Sequence, residues 1–319
     1  MTVEAHYRGD GVARPGTELP EPPPWRTFPR DSPADTFQPP EGLAAAVNAA
    51  LALRRPLLIT GGPGTGKSTV IEQVAEELDL GPVLRWHITS RSTLADALYR
   101  YDALGRIHAH RLQQERARTD TAAPATGSDD IADFLTLGQL GTALLPAGRP
   151  RALLIDEIDK ADLDLPGDLL DVLERGEFRI PELLREGGDR AEVRLWDSDR
   201  RGSVHRGHVQ CTEFPFTVMT SNGEQELPAP FLRRCVRFTM PRPTAELIRR
   251  VVRAHLRLEV GASGPEAELV DDFVRRVAAG QSVAVDQLLG TLHLLHGAPA
   301  SGQEREQLIA LLMRDLSGA

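Results

Sequence analysis

The sequence predicts an α/β fold, a parallel sheet with helices on both faces followed by a small all-α domain. Three observations predict it. Short apolar runs alternate with helical patterns between residues 56 and 240, as expected of parallel strands joined by helical crossovers. The first apolar run feeds a glycine-rich stretch, Gly61-Gly62-Pro63-Gly64-Thr65-Gly66-Lys67-Ser68, with the spacing G-x-x-x-x-G-K-S. After Pro241 the strand pattern stops and only helical spacing remains.

Residues 1–40 hold nine of the 24 prolines, including Pro22-Pro23-Pro24 and Pro39-Pro40. With few apolar residues between them, such a segment cannot offset its ordering entropy, so a disordered, loosely draped arm is expected. An alanine-rich helix over 41–53 precedes the first strand at 56–60. A helix follows the glycine-rich turn at 67–78, then a strand at 83–89. Residues 90–101 start with helix-capping residues and carry Leu94, Ala97, Leu98 and Tyr101 at helical spacing. Residues 115–130 are polar and predict a surface loop, and 131–145 one helix. Strands are expected at 152–155, 216–221 and 236–240, with a helix at 165–174. Between them, residues 178–216 are too long for a structureless loop. The alternation in 191–196 suggests a β-hairpin insertion with Arg200, Arg201, His205, Arg206 and His208 near its far end. Four helices, at 245–256, 267–279, 285–296 and 303–316, complete the chain. Leu247, Ile248, Val251, Val252 and Leu256 form the apolar stripe of a small bundle. The domains are therefore a Pro-rich arm at 1–40, an α/β core at 41–240 and an α-helical lid at 241–319.

The glycine-rich stretch has the chemistry of a phosphate cradle. Glycines let successive N–H groups turn toward phosphate oxygens, and the helix that follows adds its positive N-terminus. Gly61, Gly62, Pro63, Gly64, Thr65, Gly66, Lys67, Ser68 and Thr69 make the nucleotide-binding set. Lys67 supplies a charge for the β- and γ-phosphates, and the Ser68 hydroxyl a ligand for Mg²⁺. About ninety residues later, Leu153-Leu154-Ile155-Asp156-Glu157 is an apolar strand ending in two acids. Asp156 is expected to hold the same ion and Glu157 to activate the attacking water. The cofactor set is thus ATP with Mg²⁺, the choice of ATP over GTP resting on the resemblance given below. In open parallel sheets ligands bind at the carboxyl ends of the strands, where both motifs lie.

The 319 residues can bury a large core, and the formal net charge of −9 argues against a surface built mainly for nucleic acid. Cys211 and Cys235 cannot form a disulfide framework. No run of eighteen apolar residues and no basic-then-apolar start occurs, so a cytoplasmic protein without a membrane partner is expected. His205, His208 and Cys211 are not expected to converge on a metal. Trp86 and His87 lie in a strand and are expected to pack.

These motifs, with four further stretches, resemble the AAA+ ATPases and within them the MoxR branch. The stretches are 96–104, Leu154-Ile155-Asp156-Glu157-Ile158-Asp159-Lys160-Ala161-Asp162, Gly176-Glu177-Phe178-Arg179-Ile180-Pro181-Glu182-Leu183, and Thr220-Ser221-Asn222 with Phe231-Leu232-Arg233-Arg234-Cys235. The resemblance covers 40–319. It implies that Asn222 is sensor 1, positioning the attacking water. It also implies that Arg234, or its neighbour Arg233, is the arginine finger offered to a neighbouring subunit's nucleotide. A finger acting in trans implies a homo-oligomer, in this family a hexameric ring that remodels a client protein, with a von Willebrand factor A-type protein as an implied partner. The hairpin before sensor 1 would face the ring's pore. One departure stands out: 281–297, where the family's sensor-2 arginine is expected, contains no Lys or Arg, leaving Arg275 or Arg276 as substitutes. Two other readings stay open: a slow, nucleotide-switched scaffold, and a nucleic-acid translocase of the restriction type.

Overall fold

The computed structural model describes residues 9–19, 21–29, 32–119, 130–196, 199–281, 283–297 and 302–314. Their chain divides into two compact units. A sheet unit takes residues 42–60 and 74–238, and a helical unit takes the described residues of 1–41, 61–73 and 239–319.

In chain order the elements up to the second crossover are α1 (Leu43–Leu53), β1 (Leu57–Thr60), α2 (Thr69–Glu77), β2 (Leu84–His87), α3 (Leu94–Leu98), β3 (Tyr99–Tyr101), α4 (Ala103–Thr119), β4 (Leu135–Leu137), α5 (Gln139–Ala143) and β5 (Ala152–Asp156). There follow α6 (Leu165–Arg175), β6 (Glu177–Arg179), α7 (Pro181–Glu186), β7 (Arg190–Arg194), β8 (Arg201–His205), β9 (His208–Gln210), β10 (Phe216–Ser221), α8 (Ala229–Leu232) and β11 (Val236–Thr239).

The sheet unit contains two sheets. The first has the order β11-β1-β10-β5-β2. Its pairs β1–β10, β10–β5 and β5–β2 are parallel, as the α/β prediction requires. Leu57, Leu58, Ile59, Leu153, Leu154, Ile155, Val218 and Met219 are buried along these strands. Such burial on both faces explains why they read as continuous apolar runs. Register aligns the carboxyl ends: Thr60 lies opposite Ser221, and His87 opposite Asp156.

The second sheet has the order β3-β4-β7-β8-β9-β6, and it changes several sequence-based expectations. The helix expected over 90–101 stops at Leu98, and Tyr99–Tyr101 pairs with Leu135–Leu137 instead. The single helix expected over 131–145 is a 3₁₀ turn, the strand β4 and the short α5. Part of the polar stretch expected as a loop from residue 115 continues α4 to Thr119; residues 120–129 lie outside the described residues. These strands are three to five residues long, and outside the β7–β8–β9 run their order is set by partners distant in sequence. Local propensity carries little of that information.

β7 and β8 pair antiparallel, from Arg190 opposite His205 to Arg194 opposite Arg201. The basic residues expected at one hairpin tip are therefore split. Arg200 and Arg201 lie at one end of β8, and His205, Arg206 and His208 at the other, in the turn to β9. Counter-charges accompany the second group: Arg206 Nε is 2.8 Å from Asp189 Oδ1, and His208 Nε2 is 3.1 Å from Glu177 Oε2.

In the helical unit, α9 (Ala245–Leu256), α10 (Pro265–Ala278), α11 (Val285–Gly297) and α12 (Gly302–Leu312) enclose a core of Ile248, Val252, Leu269, Phe273, Leu288 and Leu292. Thr244 caps α9 by accepting the Leu247 N–H. The proline-rich segment belongs to this unit and differs from the draped arm expected. It forms 3₁₀ turns at Pro24–Arg26 and Pro33–Thr36, and Ala34 is buried. Trp25 packs against the helical core, edge-on to His255 and His293 at centroid distances of 6.4 and 5.8 Å. An aromatic anchor supplies the buried area that composition alone suggested was missing. Among the described residues, no helix is long and apolar enough to cross a membrane.

Candidate functional site

The glycine-rich loop leaves β1 directly at Thr60 and belongs to the helical unit, with α2 starting at Thr69. Gly64 has φ +69°, and a Cβ built there would lie 2.8 Å from the Ala284 side chain. Gly66 has φ +78°, and its Cβ would meet the Phe37 ring at 3.1 Å. Both backbone conformation and space thus restrict these positions to glycine. Lys67 is 7% exposed, and its Nζ donates to the carbonyls of Gly61 at 2.8 Å and Gly62 at 2.7 Å. Thr65 Oγ1 donates to the Gly62 carbonyl. The lysine ammonium thus turns toward two carbonyls of its own loop, neutral acceptors with which a phosphate anion competes.

Beside the loop, within the same unit, opens a cavity of about 290 Å³. Trp25 and Phe37 from the proline-rich segment, Met240, Leu247 and Val251 give it apolar walls, and Gly64, Thr65, Gly66 and Thr69 line one side. His255 also faces it; burial pushes its imidazole below the ordinary histidine range. An apolar cavity with a few polar groups against a phosphate cradle suits a flat heterocycle carrying phosphates.

In the sheet unit the acids gather where β2, β5 and β10 end. Asp156 Oδ1 accepts the Thr220 hydroxyl proton at 2.6 Å, and Thr220 Oγ1 accepts the Glu157 N–H at 2.9 Å. Glu157 sits at φ +60°, ψ +49°, the left-handed region that costs a non-glycine residue of order 1 kcal/mol or more. β5 ends at Asp156, the residue before this left-handed turn. Asn222 Nδ2 donates to Glu157 Oε1 at 3.3 Å, while Lys160 Nζ lies 2.9 Å from Oε2. That hydrogen bond to Glu157 holds the Lys160 ammonium above the ordinary lysine range. His87 adds its Nε2 at 3.5 Å from Glu157 Oε2 and its Nδ1 at 3.9 Å from Asp156 Oδ2.

The structure thus joins Asp156, Glu157 and Asn222 in one hydrogen-bonded group. It also adds Thr220, Lys160 and His87, which sequence reasoning did not assign. Trp86 packs, at 5% exposure, but His87 does not: its side chain is 61% exposed and faces the acids. Strand alternation held the signal, because the residue after a buried Trp86 must point to the other face. The i, i+3 spacing of Glu157 and Lys160 and the position of Thr220 two residues before Asn222 were also legible.

Arg234 pairs with Glu174 of α6 through Nε and Nη2, and its Nη1 donates to the Pro230 carbonyl. Arg233, its neighbour, is exposed. The substitutes suggested for a sensor-2 arginine are engaged in the helical unit. Arg276 Nε lies 2.6 Å from Asp272 Oδ2 and its Nη1 donates to the Met313 carbonyl, while Arg275 lies 3.3 Å from the same Asp272.

The AAA ATPase domain family model matches residues 41–180, which contain the glycine-rich loop and both acids. A Rhodococcus erythropolis protein described as an "ATP-dependent protease ATP-binding subunit-like protein" is 29% identical over 124 residues, 39% of this chain. The match spans 30% of that relative's length. Solved structures similar to the chain include the Thermotoga maritima RuvB Holliday junction branch migration motor, with TM-score 0.40, 12% identity and coverage of 84% of this chain and 66% of that one. A proline-to-glycine mutant of the same protein gives a TM-score of 0.43 at 13% identity, covering 84% and 67%. Within the matched residues β1 and β5 carry their motifs at their carboxyl ends, where ligands of parallel α/β sheets bind.

Proposed function

We propose that the chain binds and hydrolyses ATP as a cytoplasmic AAA+ protein of the MoxR-like branch, assembled with copies of itself into a ring, a hexamer in this family, that remodels a partner protein. The observation that carries the hydrolytic part is the Asn222–Glu157 hydrogen bond beside Asp156 at the ends of adjacent strands. In this reading the loop from Gly61 to Thr69 holds the phosphates and the cavity bounded by Trp25 and Phe37 takes the base. Ser68 and Asp156 offer oxygen donors, which fit Mg²⁺ as a hard cation. Held there, the ion would supply positive charge against the β- and γ-phosphates. Glu157 exchanges Lys160 for the attacking water and accepts its proton, while Asn222 orients that water.

The exposed guanidinium of Arg233 and the Glu174-paired guanidinium of Arg234 are the two candidates for a finger in trans; using Arg234 requires release from Glu174. A von Willebrand factor A-type partner rests on the resemblance alone. The test is steady-state ATP hydrolysis. We expect Glu157→Gln to lower turnover by about 100-fold or more while retaining nucleotide, and Lys67→Ala to lose binding. A wild-type chain that binds no nucleotide would sink the reading.

A second reading, a slow nucleotide-switched scaffold, draws support from 281–297 lacking any basic residue and from Asp272 engaging both Arg275 and Arg276. Nucleotide-dependent assembly with negligible turnover would favour it. The translocase reading loses its main support, because the basic residues of β8 sit at opposite ends of the strand. Salt-sensitive stimulation of hydrolysis by DNA would restore it.

A further inference from the structure

The loop that carries Asn222 hangs from one buried carboxylate. Asp159 is 3% exposed, and its Oδ2 accepts two backbone N–H groups, from Asn222 at 2.9 Å and from Glu224 at 3.0 Å. Its Oδ1 is buried with no hydrogen-bond partner among the described residues. A carboxylate taken out of water is costly unless donors compensate it, so this one is an expensive means of tying down a surface turn. Its location suggests what the expense secures. Asp159 lies in the 3₁₀ turn Ile158–Lys160 that follows the left-handed Glu157. That turn sends consecutive side chains in different directions: Asp159 into the interior under the Asn222 loop, and Lys160 out to the Glu157 carboxylate. Glu157 and the loop that must meet it are therefore fixed by adjacent residues of the same turn. Asn222 is gripped at both ends, its main-chain N–H by Asp159 and its carboxamide by Glu157.

We propose that Asp159 is a positioning residue for hydrolysis: it holds the backbone of residues 222–224 so that the Asn222 carboxamide stays in register with Glu157. This inference rests on the hydrolytic reading of Glu157 and Asn222. Among the described residues the hydrogen bonds of Asp159 go to the backbone of the Asn222 loop and not to the Glu157 carboxylate, so it acts through Asn222. Because only Oδ2 accepts, one acceptor oxygen suffices, and Asn at this position should substitute in part.

Two measurements on the full chain test the proposal. In nucleotide-free protein, amide hydrogen exchange at Asn222 and Glu224 should be at least about tenfold faster in Asp159→Ala than in wild type, with Asp159→Asn intermediate. In ATPase assays at a temperature where circular dichroism shows each variant folded, Asp159→Ala should lower kcat by about 10- to 100-fold with nucleotide affinity retained. Combined with Asn222→Ala it should cost no further activity, since both changes remove one function. Unchanged amide protection, or a double variant slower by the product of the two single effects, overturns the proposal. If Asp159→Ala does not fold, Asp159→Asn and Asp159→Ser carry the same comparison. A wild-type chain without turnover would defeat the hydrolytic reading, while the exchange measurement would still decide whether Asp159 holds the loop.

Discussion

The five-stranded parallel sheet and the six-stranded mixed sheet lie within one unit, yet different forces hold them. In the first, Leu57, Leu58 and Ile59 of β1 and all six residues of β10 are buried, so each strand is sandwiched on both faces. In the second, β7 and β8 each bury fully only one residue of five, Val193 and Val204. Ion pairs lie on and beside them, Arg190–Glu192 within β7 and Arg206–Asp189 just beyond the ends of β8 and β7. The chemistry follows the same division. Asp156, Glu157, Asn222 and His87 all stand at the carboxyl edge of the parallel sheet, the first three at the ends of the buried strands β5 and β10. A densely buried sheet is the rigid mount that hydrolytic groups need, whereas the mixed sheet can vary its surface charge without disturbing them.

That contrast is open to test. The largest effect is expected at Leu154→Ala, in the middle of β5, where loss of a buried side chain from a two-sided core should cost about 2–5 kcal/mol in urea unfolding. Val204→Ala removes less buried volume from β8 and should cost about 1–3 kcal/mol. Its turnover, measured where it is folded, should match wild type; a large loss there would break the division between mount and surface. His87→Ala should change stability little, because the ring is exposed, and should alter turnover by about tenfold through its neighbours Asp156 and Glu157. Unaltered turnover would confine the site to the acids, Thr220, Asn222 and Lys160. The smallest effect is expected at Arg206→Ala: its pair with Asp189 is exposed on both sides, so the change in stability should stay within about 0.5 kcal/mol.

The same contrast explains how much was legible in the sequence. β1, β5 and β10 were found because double-sided burial makes continuous apolar runs, and α9 because its apolar spacing is regular. Of the mixed sheet, only the β7–β8 hairpin was legible, in the alternation of 191–196. Tyr99–Tyr101 continues a helical pattern up to its last residue, and only pairing with β4 makes it a strand. Trp25 and Phe37 were hidden in proline-rich sequence, where average composition masks two anchors. Lys67, Asp156 and Glu157 were legible because phosphate and proton chemistry fix residue type at fixed spacing. The partners of Glu157 were less so: Lys160 and His87 reach it from a turn and from a neighbouring strand, and Asp159 reads as one more acid in an acidic run.

By itself, the sequence determined the parallel α/β core, the helical C-terminal region, the glycine-rich loop with its lysine, and the pair of acids. Each is a local pattern whose period or spacing is imposed by backbone geometry or by phosphate chemistry. The tertiary structure decided what crosses between distant segments. It assembled six short strands into a second sheet, divided the basic residues of β8 between its two ends, and paired Arg234 with Glu174. It also hung the Asn222 loop on a buried Asp159. Those outcomes depend on hydrogen bonds and charge pairs between residues far apart in the chain, and no local pattern encodes which partner each will find.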